Sequence, residues 1–331
     1  MCLFPRIIQN KKYLPNKKNG GFVTEPSDRR VLGVPVGCGF CIECQKQRAN
    51  SWKIRLYEDI KTHKNGVFVT LTFSNESYKE LTEDIQKKVE KIEGYALDNA
   101  IATLAVRRFL ERWRKEQKKS VRHWLITELG HNGTENIHLH GIIYTDNPEL
   151  IEKHWRYGFI WRGKREFKNG TFIYKNYVSE QTINYIIKYA TKVNFKHKYY
   201  KPAILCSKGI GKNYINSAQA KDKNDFYITR KGNKIALPIY YRNAQYSEQE
   251  REKLWLKKLD EGIRYICGEK VKEENKEEYY KLLQYHRQRT QKLGYGSPLN
   301  WEAKKYEKER RILNQKKRLE NLKKDTKKLD K

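Results

Sequence analysis

The sequence predicts an α+β fold: a central antiparallel sheet with helices on one face, extended by a helical C-terminal region. Three observations carry that expectation. GVFVTLTFS (66–74) is β-branched and aromatic and reads as a strand. VRHWLITEL (121–129) and IHLHGIIYT (137–145) flank the Gly/Asn-rich GHNGTEN, the pattern of an antiparallel hairpin. Helical stretches between and after these strands give the order strand, long helix, paired strands, helix, strand.

Taken in order, residues 1–37 are polar, bear Gly and Pro, and should be extended. QKQRANSWKIRLYEDIKTH (45–63) reads as a basic helix with Trp52, Leu56 and Ile60 four apart. A charged segment follows the 66–74 strand. LDNAIATLAVRRFLERWRKEQKK (97–119) is a long helix with Asp98 as its expected N-cap and Ile101, Ala105, Phe109 and Trp113 on one stripe. YGFIWRG and TFIYKNYV are further strand material, and SEQTINYIIKYATK (179–192) is a helix opened by Ser179. PAILCSKGIGKNYI is a short strand entering a Gly-bearing loop, and DFYITRKGNKIALPIYY is a hairpin turning at Gly232-Asn233. Beyond Tyr246 Lys and Glu dominate at helical spacing, and Ile312, Leu319, Leu322 and Leu329 step like heptads over too few turns for a coiled coil. The limits follow: an N-terminal extension with a cysteine cluster (1–45), a central domain (46–245), and a basic helical region (246–331).

The 331 residues carry a formal net charge of +31, from 70 Lys+Arg against 39 Asp+Glu. So large a surplus favours a polyanionic partner, because each neutralised phosphate releases counterions. No apolar run approaches the roughly 20 residues of a spanning helix. MCLFPRIIQNKKY also lacks the apolar core of a secretory signal, so a reducing, intracellular setting without membrane partners is expected.

Alternation along 137–145 points His138 and His140 to one face, and along 121–129 it groups Trp124, Ile126 and Glu128. A hairpin closed symmetrically sets Glu128 nearly opposite His138, so one carboxylate and two imidazoles converge as a divalent-metal shell. The competing reading is a pair of satisfied sheet histidines and a turn-capping acid. Tyr185, Lys188 and Tyr189 then share one helical face. A lysine within an aromatic stripe fits a core poorly and a phosphate well.

FVTLTF, HLHG and YIIKY resemble, in order, the three motifs of the HUH endonucleases that initiate rolling-circle replication. MCLFP, CGFCIECQKQRANSW, RRFLERWRK, TELG, SKGIG and LPIYY extend the likeness to the replication initiators of Microviridae, the gokushovirus branch in particular, over about residues 1–242. The resemblance implies a ferredoxin-like or RRM-like sheet with the histidines on a central strand, making 46–245 the HUH domain. It implies His138, His140 and Glu128 as ligands of Mg²⁺ or Mn²⁺, Tyr185 and Tyr189 as nucleophiles, and Lys188 as their partner. Where such initiators carry an aromatic after the acid, this chain has ELG, which makes Glu135 the fallback third ligand. Single-stranded origin DNA, a host helicase and polymerase, and the host cytoplasm complete what the likeness implies.

CGFCIEC spaces Cys38, Cys41 and Cys44 as C-x₂-C-x₂-C, and Cys2 is a distant fourth thiolate for a structural zinc. An iron–sulfur cluster and buried thiols are the other readings. SKGIGKNY offers Gly amides with Lys208 and Lys212 for phosphates, and Arg107, Arg108, Arg112 and Arg114 form a solvated face or a DNA contact. Two rival functions remain: a non-enzymatic RNA- or DNA-binding protein with a structural zinc, and a zinc-bound virion or ribosomal component.

Overall fold

The computed structural model describes residues 1–130, 135–168 and 171–329. The chain begins with β1 (Arg6–Gln9), β2 (Gly33–Val36) and α1 (Ile42–Thr62). Next come β3 (Gly66–Leu71), α2 (Asn75–Gln86), α3 (Gly94–Gln117), β4 (Arg122–Leu129) and β5 (Ile137–Tyr144). Then follow α4 (Glu149–His154), β6 (Ile160–Trp161), β7 (Lys164–Lys168), β8 (Thr171–Lys175), α5 (Glu180–Thr191) and β9 (Ile204–Cys206). The remainder holds α6 (Ala218–Lys221), β10 (Phe226–Ile228), β11 (Lys234–Ala236), α7 (Ile239–Gln245) and α8 (Glu248–Asp260). It closes with β12 (Ile263–Ile266), β13 (Glu269–Lys272), α9 (Lys276–Lys292) and α10 (Trp301–Leu329). No helix among the described residues is long and apolar enough to cross a membrane.

Two compact units emerge, Met1–Ser51 with Tyr214–Asn300, and Trp52–Asn213 with Trp301–Lys331. The second is built on a five-stranded antiparallel sheet in the order β6-β3-β5-β4-β9, with β5 at its centre. Val67, Val69 and Leu71, Leu125 and Leu129, and Leu139 and Ile143 alternate onto one face and pack against α2 and α3. The stripe of Ile101, Ala105, Phe109 and Trp113 is buried there. Removing each such side chain from water stabilises the fold by about 1.5–3 kcal/mol. Gly141 follows His140 because β4 comes close at that point. A Cβ at 141 would stand 2.0 Å from the Trp124 carbonyl oxygen.

The opposite face carries α5, whose Ile183, Ile186, Ile187 and Ala190 are buried, and the Trp52 end of α1. Helices therefore cover part of both faces, not one face alone. Ser179 caps α5 as expected, in a reciprocal box with Thr182. Asp98 is not an N-cap: α3 starts at Gly94, and Asp98 lies fully buried one turn in, paired to Arg311. The charged segment after β3 is α2, capped by Ser74 and burying Tyr78, Leu81, Thr82 and Ile85. That i, i+3, i+4, i+7 pattern is legible once the charges between are disregarded. Only Ile160–Trp161 of YGFIWRG joins the sheet, whereas TFIYK pairs with β7 in a separate hairpin.

In the first unit β1 and β2 pair antiparallel, and β10 and β11 form the hairpin turning at Gly232. The Lys/Glu-rich region is not wholly helical, since β12 and β13 form a further hairpin around Cys267 and Gly268, both at positive φ. Its last helix belongs to the second unit. Arg311 of α10 bonds Asp98 and Glu135 at 2.8 and 3.1 Å, and Gln315 bonds Gly94 and Asp98. The central residues of the β4–β5 turn, 131–134, lie outside the described residues.

Candidate active site

Strand register assembles the first half of the site. Glu128 pairs with His138, Ile126 with His140, and Thr70 of β3 with His140 from the other side. Alternation therefore puts Glu128, Thr70 and both histidines on one face. His140 is fixed at both nitrogens, with Nδ1 2.9 Å from Thr70 Oγ1 and Nε2 2.8 Å from Glu128 Oε2. The second Glu128 oxygen accepts from Lys192 Nζ at 2.8 Å. His138 lies alongside, its ring 6.4 Å from that of His140.

The other half comes from α5. Tyr189 stacks flat on His140, centroids 4.0 Å apart and 3° from parallel. Its hydroxyl donates to that of Tyr185 at 2.8 Å. Tyr185 stands edge-on to Phe68 and is 49% exposed, so one phenol is sheltered while the other meets solvent. Lys188 is exposed on the same turn. Lys192, which sequence reasoning missed, reaches Glu128 and lies 5.5 Å from the centre of the Tyr189 ring. It was legible only as one lysine among many.

Charges here are strongly coupled. Burial works to raise the Glu128 pKa, but hydrogen bonds from His140 and Lys192 outweigh it and hold the carboxyl down at about 2. Burial, then the neighbouring His140 charge, pushes His138 below the usual imidazole value, leaving it neutral near pH 7 as a metal ligand must be. Burial, the Tyr185 hydrogen bond and nearby negative charge push the Tyr189 phenol well above its ordinary value.

The residues fit a divalent cation in part. A 2.8 Å Nε2–Oε2 separation suits adjacent ligands of an ion with bonds of about 2.1 Å, and Thr70 supplies the outer bond that orients a metal-bound histidine. Glu128, His138 and His140 do not together bring their ligand atoms within 4.8 Å of one another. Among the described residues, the four cysteines Cys2, Cys38, Cys41 and Cys44 are the group that does, a set able to hold a metal such as zinc.

The other candidates find structural partners. The Glu135 carboxylate turns to Arg311, His197 and Asn314. In the SKGIG loop the Gly211 amide donates to Asp59 at 2.8 Å, and Arg122 binds both Asp59 and the Gly209 carbonyl. Lys208 and Lys212 are exposed on it. Arg108 pairs with Asp84, Arg107 with Glu111, Arg114 donates to Ser120, and Arg112 donates to the His154 carbonyl and Tyr157. At one end of the sheet a polar cleft of about 540 Å³ is lined by Asn75, Asn136, Asn314, Lys317 and Arg318. Arg318 lies 3.9 Å from the Tyr78 ring centre, and its charge contributes to the lowering at His138.

A buried carboxylate–imidazole pair facing two coupled phenols on a basic α+β scaffold defines a protein of phosphate-ester or nucleic-acid chemistry. Residues 66–194, from the start of β3 to just past α5, match the model of the ORF2-type family of replication-associated proteins. That segment contains all of Thr70, Glu128, His138, His140, Tyr185, Lys188, Tyr189 and Lys192. The match supports a role in DNA replication, and with it DNA binding. No curated protein and no solved structure matches the chain.

Proposed function

We propose that this protein is a rolling-circle replication initiator of the HUH type found in gokushovirus-like Microviridae. It nicks single-stranded origin DNA and rejoins it through a 5′-phosphotyrosine. The observation that carries the proposal is the contact between two distant elements: Tyr189 stacked on His140, hydroxyl to hydroxyl with Tyr185, while Glu128 holds the same imidazole. A core histidine needs neither a carboxylate nor a pair of joined phenols.

In the nicking step a tyrosine oxygen bonds to phosphorus and the bond to the 3′ oxygen breaks, the phenolic proton ending on that oxygen. The ester energy is retained, so resealing needs no ATP. A phenol near its reference pKa of about 10 is a weak nucleophile, and the burial of Tyr189 makes it weaker still. Tyr185, the more exposed phenol, is placed to attack first, and Tyr189 serves the second cleavage that releases a unit-length circle. Lys188 neutralises phosphate charge, and Lys192 keeps Glu128 ionised. Mg²⁺ or Mn²⁺ held by Glu128, His140 and His138 would polarise a non-bridging oxygen and stabilise the leaving 3′ oxygen. The basic cleft beside Arg318 offers a path for the flanking strand. Unwinding and synthesis fall to host helicase and polymerase in the host cytoplasm.

The test is incubation of the full chain with single-stranded origin DNA, with and without EDTA, followed by denaturing gels. A covalent adduct that needs divalent metal and vanishes in the Tyr185→Phe/Tyr189→Phe double variant is expected. Binding with no adduct under any metal would leave the rival reading, a non-enzymatic nucleic-acid binder.

A further inference from the structure

Among motifs outside the nicking site, the cysteines are the most fully built. Cys2 and Cys41 sulfurs stand 3.9 Å apart, Cys38 and Cys44 4.0 Å, and all four lie within 4.8 Å of one another. All four are free thiols, and Cys2, Cys38 and Cys41 are buried. A tetrahedron of thiolates around zinc, with bonds of about 2.3 Å, sets its sulfurs about 3.8 Å apart. In an iron–sulfur cluster the thiolates are shared among several irons, which spreads the sulfurs much wider.

The backbone supports such a centre. Amides of Phe4 and Cys38 donate to Cys2 Sγ at 3.3 and 3.2 Å, and those of Phe40 and Cys41 donate to Cys38 Sγ at 3.4 Å each. Donors aimed at sulfur suit a thiolate better than a thiol, because they offset negative charge. Gly39, at φ +80°, makes the tight turn that aims both amides at Cys38. The cysteines come from three places in the chain: Cys2 at its start, the 38–41 loop, and the first turn of α1. They border a small apolar cluster of Leu3, Phe4, Ile266, Val271 and Leu283. A cluster of that size leaves much of the unit's cohesion to other bonds.

We infer that Cys2, Cys38, Cys41 and Cys44 hold one structural zinc ion that fastens the Met1–Phe4 segment and the 38–44 loop into the first unit. Four thiols lose their protons to solvent as the ion binds, and no redox change is involved. The site is closed, with no position left for substrate. It is separate from the nicking centre and does not depend on it.

Metal analysis of the purified full chain tests this. About one zinc per chain is expected. Exchange for cobalt should give the sulfur-to-cobalt charge-transfer bands of a tetrahedral thiolate site. Cys41→Ser should lose the ion, while Cys206→Ser and His140→Ala keep it. If Cys41→Ser is insoluble, thiol titration of the native chain reads the same set, four thiols becoming reactive in step with zinc release to a chelator. Stoichiometric iron, a soluble folded chain without metal, zinc that leaves with His140→Ala, or four thiols reactive from the outset would each overturn the assignment.

Discussion

The Tyr189 ring lies flat on the His140 imidazole, 4.0 Å between centroids. This one contact joins the central strand of the sheet to the helix that carries both phenols, and it orients His140 from above while Thr70 and Glu128 fix its edges.

Removing the hydroxyl and removing the ring should have different effects. Tyr189→Phe keeps the stack, so its unfolding free energy should stay within about 1 kcal/mol of the parent while transfer of the bound 5′ end to a second cleavage is lost. Tyr189→Ala removes the stack and should cost about 1–3 kcal/mol, read by urea denaturation, and impair the first cleavage as well. Equal activity in the two variants would argue against the stack as a positioning contact.

Glu128 titrates far below its ordinary value of 4.5, at about 2. Its folded-state pKa is depressed, so its stabilisation is complete above about 4.5 and is lost as pH falls through about 2. Glu128→Gln should lower stability at pH 7 by about 1–2 kcal/mol, less than for a fully buried pair because some solvent contact remains. That gap should close as pH falls through the same window. A gap constant with pH would trace the loss to packing instead of charge.

The two lysines of α5 and its C-cap should separate by assay. Lys192→Ala releases Glu128 and should reduce both thermal stability and adduct yield, since Lys192 bonds that carboxylate directly. Lys188→Ala should leave the melting temperature unchanged and slow adduct formation, because Lys188 is solvent-exposed and its role is toward phosphate.

Arg311 is buried between Asp98 and Glu135. Arg311→Met leaves the Asp98 carboxylate uncompensated where no solvent reaches it, at a cost of about 3–5 kcal/mol in chemical denaturation. Adding Asp98→Asn should recover part of that loss, as contacting residues are non-additive. Deleting residues 301–331 should destabilise the second unit for the same reason. A truncated chain as stable as the parent would show that α10 is dispensable.

Much of this was legible in the chain. Period-two alternation in RHWLITEL and IHLHGIIY fixed which residues share a face, and the turn between them fixed the Glu128–His138 register. Ser179 and the spacing of Tyr185 and Tyr189 located the helix and its phenols. Local pattern suffices there because side-chain direction follows from the backbone period alone. Three other placements depended on where distant segments meet, which no local period encodes. Lys192, not Lys188, reaches Glu128. Asp98, a plausible cap on local grounds, is a buried partner of an arginine more than two hundred residues away. The last helix, which reads as a basic appendage, is part of the second unit, because Arg311 and Gln315 satisfy groups that α3 buries and cannot satisfy itself.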